Sequence, residues 1–370
     1  MILSVSTDGH YAISTNSSKQ AVLWNIKDKD YKIISNNANI YSAYFVKNTN
    51  NFIYQDDKTN EVILENINGT VIKKLNPGFA TYGEVMTSDL NTWIGSDDNY
   101  QTTKITNGIK QVILYYYCGP NYHDAPIPPQ GALYRCGGVL GAGKLLNYTL
   151  SSDDKYLIGS GFGDVFLWNI STDTLVSDMQ KNDPQVYATF SPDSAMILSG
   201  DIGSHLYAFS VNQQNLIAME LNAPKTPELA AYFLDNNIQD PQMGVPVVTI
   251  KYIDSNNFFV FISAAPDSFN YAILYNLADK KSSNSKWYQY NLSPRKYIPL
   301  IKGAATDFNY DPTWPMTTDY ARDEAIDTSP SAHILVMAMD GANGILVYHY
   351  DPATQELTNV WSPQVSWWRF

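Results

Sequence analysis

The chain has 370 residues, 44% of them hydrophobic and only 16% charged, a balance that excludes a disordered chain and supplies enough apolar material for a large core. Lys and Arg total 24 against 36 Asp and Glu, so a net charge of −12 argues against nucleic acid or anionic lipid as a partner; the Lys73-Lys74 and Lys280-Lys281 doublets are isolated and form no basic patch. No apolar run reaches transmembrane length, which argues against direct membrane insertion.

The first segment, Ile2-Leu3-Ser4-Val5, is strand-like, and residues 1–20 carry no signal-peptide pattern. Loss of an earlier leader, with Met1 added for expression, is compatible with such a start. From Val5 to Ile34 the chain reads VSTDGHYAISTNSSKQAVLWNIKDKDYKII: short strand, Ser/Asp turn, apolar strand, polar turn, aromatic-rich strand, final strand. The same grammar returns in TLSSDDKYLIGSGFGDVFLWNISTDTLVSDM (Thr149 to Met179) and in TFSPDSAMILSGDIGSHLYAFSVNQQNLIAMEL (Thr189 to Leu221). The third-strand aromatic, or what replaces it, falls at Trp24, Glu65, Lys104, Trp168, Phe209, Tyr275 and Tyr348. Three of the intervals between these markers are close to the roughly 40–45 residues of a four-stranded propeller blade, and the other three equal a blade plus an insertion. High aromatic content, 13% with 27 Tyr and 8 Trp, suits such half-buried strands.

Ser191-Pro192-Asp193, Leu23-Trp24-Asn25-Ile26 and Leu167-Trp168-Asn169-Ile170 resemble the first turn and third strand of the WD-repeat family, and Tyr348-His349-Tyr350-Asp351-Pro352-Ala353-Thr354 is a weaker version of the same strand and turn. The resemblance implies an all-β, seven-bladed propeller of four-stranded antiparallel blades, using residues 1–370 as a single domain. It also implies scaffolding within a larger assembly. The family's Gly-His dipeptide is absent from its place ahead of each unit's first strand (Gly9-His10 falls in a turn), so its Asp–His–Ser/Thr–Trp hydrogen-bond network is not expected to be complete. Because the chain opens on an innermost strand, the last blade is expected to come mostly from the C-terminal segment. Trp361 and the tail Val365 to Phe370 would then seal the ring against blade one.

Insertions follow blades three, five and six, near residues 118–143, 223–246 and 292–331. In the first, the last strand of blade three fits Gln111–Tyr117 and the first of blade four fits Leu145–Leu150, leaving Cys118–Gly143 as a between-blade loop. In the second, blade five ends at Asn215–Leu221, and Pro227 to Leu234 reads as a short helix with Pro in its first turn. In the third, Ala304–Asn309 is the best candidate for the innermost strand of blade seven, which would carry part of that insert to the opposite face. Tyr116, Tyr117, Tyr122 and Tyr134 cluster around the first insertion, Tyr232 and Phe233 lie in the second and Trp314 in the third. Broad, rigid side chains of this kind make these residues the candidate partner-binding surface.

Cys118 and Cys136 bracket the first loop, and a disulfide between them would stabilise it by roughly 3 kcal/mol. A bridge implies a periplasmic or extracellular setting; unlinked thiols imply the cytoplasm. Five scattered His and two Cys offer no zinc spacing, and Asp56-Asp57, Asp97-Asp98-Asn99 and Asp153-Asp154 read as turns before they read as calcium ligands. The Gly-rich run Gly137 to Gly143 precedes a strand rather than a helix, so it is a loop stem and not a phosphate cradle. No nucleophile elbow is present, so no catalytic, cofactor or metal residue is expected. The leading expectation is a non-catalytic protein-interaction scaffold, in a bacterial envelope or secretion-related assembly, binding a partner protein through its insertion face. The alternatives are an extracytoplasmic propeller hydrolase or carbohydrate binder with its site at the channel mouth, and a structural subunit of a homo-oligomer.

Overall fold

The computed structural model describes residues 3–15, 20–34, 40–56, 58–77, 82–96, 101–116, 133–135, 145–161, 164–178, 185–201, 205–211, 215–221, 247–262, 271–279, 281–282, 290–292, 296–299, 326–338 and 344–363. They form seven antiparallel sheets, each with four strands running outward from an innermost one. Blade one comprises Leu3–Val5, Tyr11–Thr15, Ala21–Asn25 and Asp30–Ile33, and blade two Ile40–Phe45, Asn51–Asp56, Glu61–Asn66 and Val71–Leu75. Blade three comprises Tyr82–Met86, Thr92–Ser96, Gln101–Thr106 and Ile109–Tyr116, and blade four Leu145–Leu150, Tyr156–Gly161, Asp164–Asn169 and Thr174–Asp178. Blade five comprises Gln185–Phe190, Met196–Asp201, His205–Ser210 and Asn215–Leu221. Blade six comprises Val247–Tyr252, Asn257–Ile262, Tyr271–Asn276 and Lys296–Pro299, and blade seven Ile326–Ser329, Ile334–Ala338, Ile345–Asp351 and Glu356–Trp361. Each innermost strand touches the innermost strands on either side, blade seven touching blade one, so the ring is closed.

The pleat explains the packing. Alternate side chains on a blade face its two neighbours, so both faces must be apolar and the core divides into slabs between blades. Between blades four and five, for example, Ile158, Val165 and Leu167 meet Ala188, Phe190, Ile197 and Phe209. Tyr187, Leu198 and Ala208 on the other face of blade five meet Ile250, Phe258 and Tyr275 of blade six.

Register corrects one marker. Trp24, Glu65, Trp168, Phe209, Tyr275 and Tyr348 each pair with the second residue of the preceding strand. In blade three that place belongs to Ile105, opposite Trp93, and Lys104 pairs with Ile94. A one-residue slip turns a side chain to the opposite face. Ile105 therefore packs between blades two and three, while Lys104 reaches blade four.

Two sheets grow beyond four strands. Leu133–Arg135 joins the outer edge of blade three in parallel, and Tyr290–Leu292 joins that of blade five, with Lys281–Ser282 beyond it. The innermost strand of blade seven is Ile326–Ser329, not Ala304–Asn309, which lies outside the described residues together with the helix expected at 227–234. Blade six takes Lys296–Pro299 as its fourth strand, so the third connection runs from 300 to 325.

The seam between blades seven and one has no shared strand. Trp24 sits edge-on to Trp361 at 6.2 Å, inside a cluster with Leu3, Val5, Val336, Ile345 and Val347. Asp327 accepts a hydrogen bond from the Val5 amide at 2.8 Å, and Ser329 and Ser331 both donate to the Thr7 carbonyl. Burial of a Trp24-sized side chain contributes about 4 kcal/mol, against about 1 kcal/mol net for one hydrogen bond, so packing dominates the closure.

Candidate interaction face

Strands alternate in direction, so the ring has two faces. One carries the turns joining strands one to two and three to four of every blade; the other carries the remaining connections. The turn face is locked. In blades one, four and five the first turn is Ser-x-Asp: Ser6, Ser151 and Ser191 donate to Asp8, Asp153 and Asp193 and accept the amides of Tyr11, Tyr156 and Met196. Thr87 and Asp89 do the same in blade three.

These turns also bond one another across the channel. Lys47 donates to the Leu150 carbonyl at 3.3 Å and Asn48 to the Ser152 carbonyl at 3.2 Å, reaching from blade two to blade four. The Ser88 amide donates to Asp154 at 2.7 Å, the Ser152 amide to Ser194 at 2.7 Å, and the Asn48 amide to Thr7 at 2.9 Å. Burial lowers the Lys47 pKa, a shift that Asp154 and Asp153 oppose.

Four carboxylates on this face, Asp8, Asp89, Asp153 and Asp351, are held ionised. Hydrogen bonds from Thr87 to Asp89 and from Ser151 to Asp153 lower both pKa values. At Asp8 partial burial pushes upward, but bonds from Ser6 and the His10 amide outweigh it. At Asp351 the amide of Ala353 lowers the pKa. A general acid needs a carboxyl kept protonated near neutral pH, the opposite displacement. Asp153-Asp154 is thus a turn that ties blades together. Asp56 likewise caps the Lys58 amide, while Asp57 and Asp97-Asp98-Asn99 lie outside the described residues. Among the described residues no three His, Cys, Asp or Glu side chains converge, and no helix is long and apolar enough to cross a membrane.

The opposite face receives three of the four long connections; the fourth, residues 277–295, joins strands three and four of blade six from the turn face and carries the two strands added to the edge of blade five. The chain leaves at Tyr116, Leu221 and Pro299 and returns at Leu145, Val247 and Ile326, always at the ends of fourth strands and the starts of first strands. These three connections therefore begin and end on one face, so residues 300–325 do not start from the other; residues 292–295 of the expected third insertion precede Lys296–Pro299 and belong to the turn-face connection of blade six. Of the candidate binding residues, Tyr116 and Tyr134 lie in strands that run parallel and in register, with Tyr115 beside Tyr134 and Tyr116 beside Arg135. Tyr117, Tyr122, Tyr232, Phe233, Trp314, Cys118 and Cys136 lie outside the described residues.

Between the faces, mostly toward the turn side, the blades are tied by groups that sequence reasoning missed. Thr102 and the Tyr148 hydroxyl meet at 2.6 Å between blades three and four, and Lys104, buried, is paired with Asp173 of blade four. Asp327 caps the Val5 amide while lying 3.5 Å from Lys251, whose ammonium lies 5.3 Å from the Tyr187 ring. Ser4 caps the Phe45 amide in the same way. Ser4, Lys251 and Asp327 all stand two residues before the first turn. Innermost strands have an unpaired edge, and at that place Ser4 and Asp327 satisfy the next blade's amide while Lys251 pairs with the next blade's Asp327. A polar side chain recurring two places before the turn was the available signal.

Of the Asp–His–Ser/Thr–Trp hydrogen bonds that the resemblance would bring, the described residues show the last pair in blade one, where the Trp24 indole donates to Ser14 at 2.9 Å. The blade architecture decides the fold. It is a seven-bladed β-propeller.

No family model matches the sequence. No curated protein matches it either. Solved structures do. Hsv2 of Kluyveromyces lactis aligns over 98% of this chain and 98% of its own, with a TM-score of 0.58 and 9% identity. The Cps50 (Swd1) β-propeller domain of Myceliophteria thermophila aligns over 95% and 96%, with a TM-score of 0.61 and 8% identity. Hydrazine synthase of Kuenenia stuttgartiensis aligns over 93% and 94%, with a TM-score of 0.60 and 10% identity. At these identities the likeness is one of fold.

Proposed function

We propose that this propeller is a non-catalytic scaffold that binds a partner protein through its loop face. The carrying observation is directional: three of the four long connections leave and return on one face, while on the other, turn-to-turn hydrogen bonds tie blades two, three and four together. A rigid ring that projects elaborated loops from one side is a binding platform. The residue types there, including Tyr116, Tyr117, Tyr122, Tyr134, Tyr232, Phe233 and Trp314, are those that concentrate binding energy in interfaces. The resemblance to WD-repeat propellers supports the same reading. An envelope or secreted setting rests on the Cys118–Cys136 pair alone.

The test is affinity capture from the native host with the intact chain and with a variant in which residues 118–136 are replaced by a short Gly/Ser linker. Loss of a specific protein from the variant, with its thermal transition retained, supports the reading. Identical partner sets would dismiss the first insertion as a binding element, and identical sets after trimming all three would dismiss the face.

A further inference from the structure

The outer rim carries a second surface, independent of the loop face. A sheet edge exposes unpaired amides and carbonyls, and proteins blunt such edges with bulges, covering strands or proline. Among the described residues six blades carry such a device. The outermost strands of blades two, three, four and seven each contain a register shift against the third strand. Blades three and five are covered by Leu133–Arg135 and Tyr290–Leu292. Blade six ends its edge strand in Pro299.

Blade one is the exception. Asp30–Ile33 pairs with Ala21–Asn25 in unbroken register, all four residues are exposed, and no described strand lies beyond it. The Ile34 amide donates to the Ala21 carbonyl at 2.9 Å, so alternation turns the N–H and C=O groups of Tyr31 and Ile33 away from the sheet. The Tyr31 amide is met by the carboxylate of Asp30 at 2.8 Å. That leaves the Tyr31 carbonyl and both groups of Ile33 facing outward.

The side chains on this edge have a defined chemistry. Tyr31 and Ile33 are 41% and 39% exposed, and Tyr31 leans on Trp24 at 5.4 Å, beside Trp361. Together they form an apolar, aromatic strip along the seam. Lys32 points to the other side, where its ammonium donates to the Ile67 carbonyl at 2.7 Å; the Glu65 carboxylate lies across Gly69 from it, and among the described residues no carboxylate is in ion-pair contact with it.

We propose that the outer edge of blade one accepts an extended segment of a partner protein as a fifth strand, with an acidic residue across from Lys32 between two β-branched or aromatic residues that lie on Tyr31 and Ile33. Blades three and five already hold three-residue strands in parallel on their own edges, which sets the length and direction of the added segment. Alternating side chains then give specificity while the main chain supplies the bonds.

The test uses a labelled peptide with one Glu between two Val, a counterpart with Lys in place of Glu, and the full chain. The Glu peptide is expected to bind at concentrations below about 1 mM and to shift the Ile33 amide resonance. Ile33→Pro removes the outward N–H without breaking a sheet bond and should weaken binding about tenfold at unchanged thermal stability. Lys32→Glu should reverse the preference between the two peptides, which keeps the test sound if the proline variant fails to fold. Equal binding of both peptides, binding by Ile33→Pro at full strength, or no binding would overturn the proposal. Binding that appears only after removal of residues 364–370 would assign the edge to the chain's own tail and overturn it as well.

Discussion

Side-chain oxygens, rather than the backbone alone, fix the first turn of most blades. In blade four, Ser151 donates to Asp153, which accepts the Lys155 amide, while Ser151 itself accepts the Tyr156 amide. The next residue, Asp154, has φ near 55°, a conformation that Asp and Asn tolerate better than most. Asp153→Ala removes two of these bonds and should lower stability by about 1–2 kcal/mol, read from urea unfolding. The acid response has a definite sign. The pKa values of Asp89 and Asp153 lie below the ordinary 3.8 in the folded chain, so their contribution is complete above that value and is lost as pH falls through the folded pKa values. Stability should therefore decline below about pH 4, and an Asp89→Asn, Asp153→Asn double variant should decline less steeply. An equal slope in both proteins would show that these turns do not drive the acid sensitivity.

Individual strands show what was legible in the sequence. Where a unit kept its Trp or Phe marker and its Ser/Asp turn, as around Trp24, Trp168 and Phe209, both the strands and their register followed from the pattern. Where the marker decayed, register did not. In blade three Lys104 stood one place from Ile105, because no aromatic anchors the third strand and a buried lysine breaks the alternation. Glu65 shows the other outcome: a carboxylate stands in the Trp place and is satisfied by the Tyr54 hydroxyl at 3.1 Å. Both are solved by a partner from elsewhere in the fold, which sequence spacing does not reveal. The innermost strand of blade seven was missed because Ile326–Ser329 has four residues and follows a long connection. The candidate site was less legible than the fold. The direction of the loops followed from blade topology, but the ties between blades are contacts between distant segments. Lys104→Met should cost about 1–3 kcal/mol and loosen the blade three–four junction, seen as faster amide exchange in Leu145–Leu150. For the adjoining loop, titration of the denatured, unreduced chain should find no free thiol; two reactive thiols would remove the proposed Cys118–Cys136 bridge and the exported setting with it.

At the scale of the molecule, closure makes the ring a platform. With no strand shared across the seam, blades seven and one depend on close approach. A Cβ on Gly9 would lie 2.5 Å from the Cβ of Ala332, and Gly9 has φ near 69°. Gly9→Val should therefore destabilise the ring by about 2 kcal/mol or more, read from urea unfolding, whereas Gly108→Val, where nothing lies within 4 Å, isolates the backbone cost alone. The two variants separate seam packing from turn strain. An intact seam keeps the three loop stems at fixed spacing, so one surface can engage a partner from several blades at once. Cross-linking mass spectrometry of the chain captured with its partner tests this most directly. Cross-links should concentrate in residues 117–144, 222–246 and 300–325; cross-links confined to the turn face, around Lys27, Lys47 and Lys155, would assign binding to the opposite side of the ring.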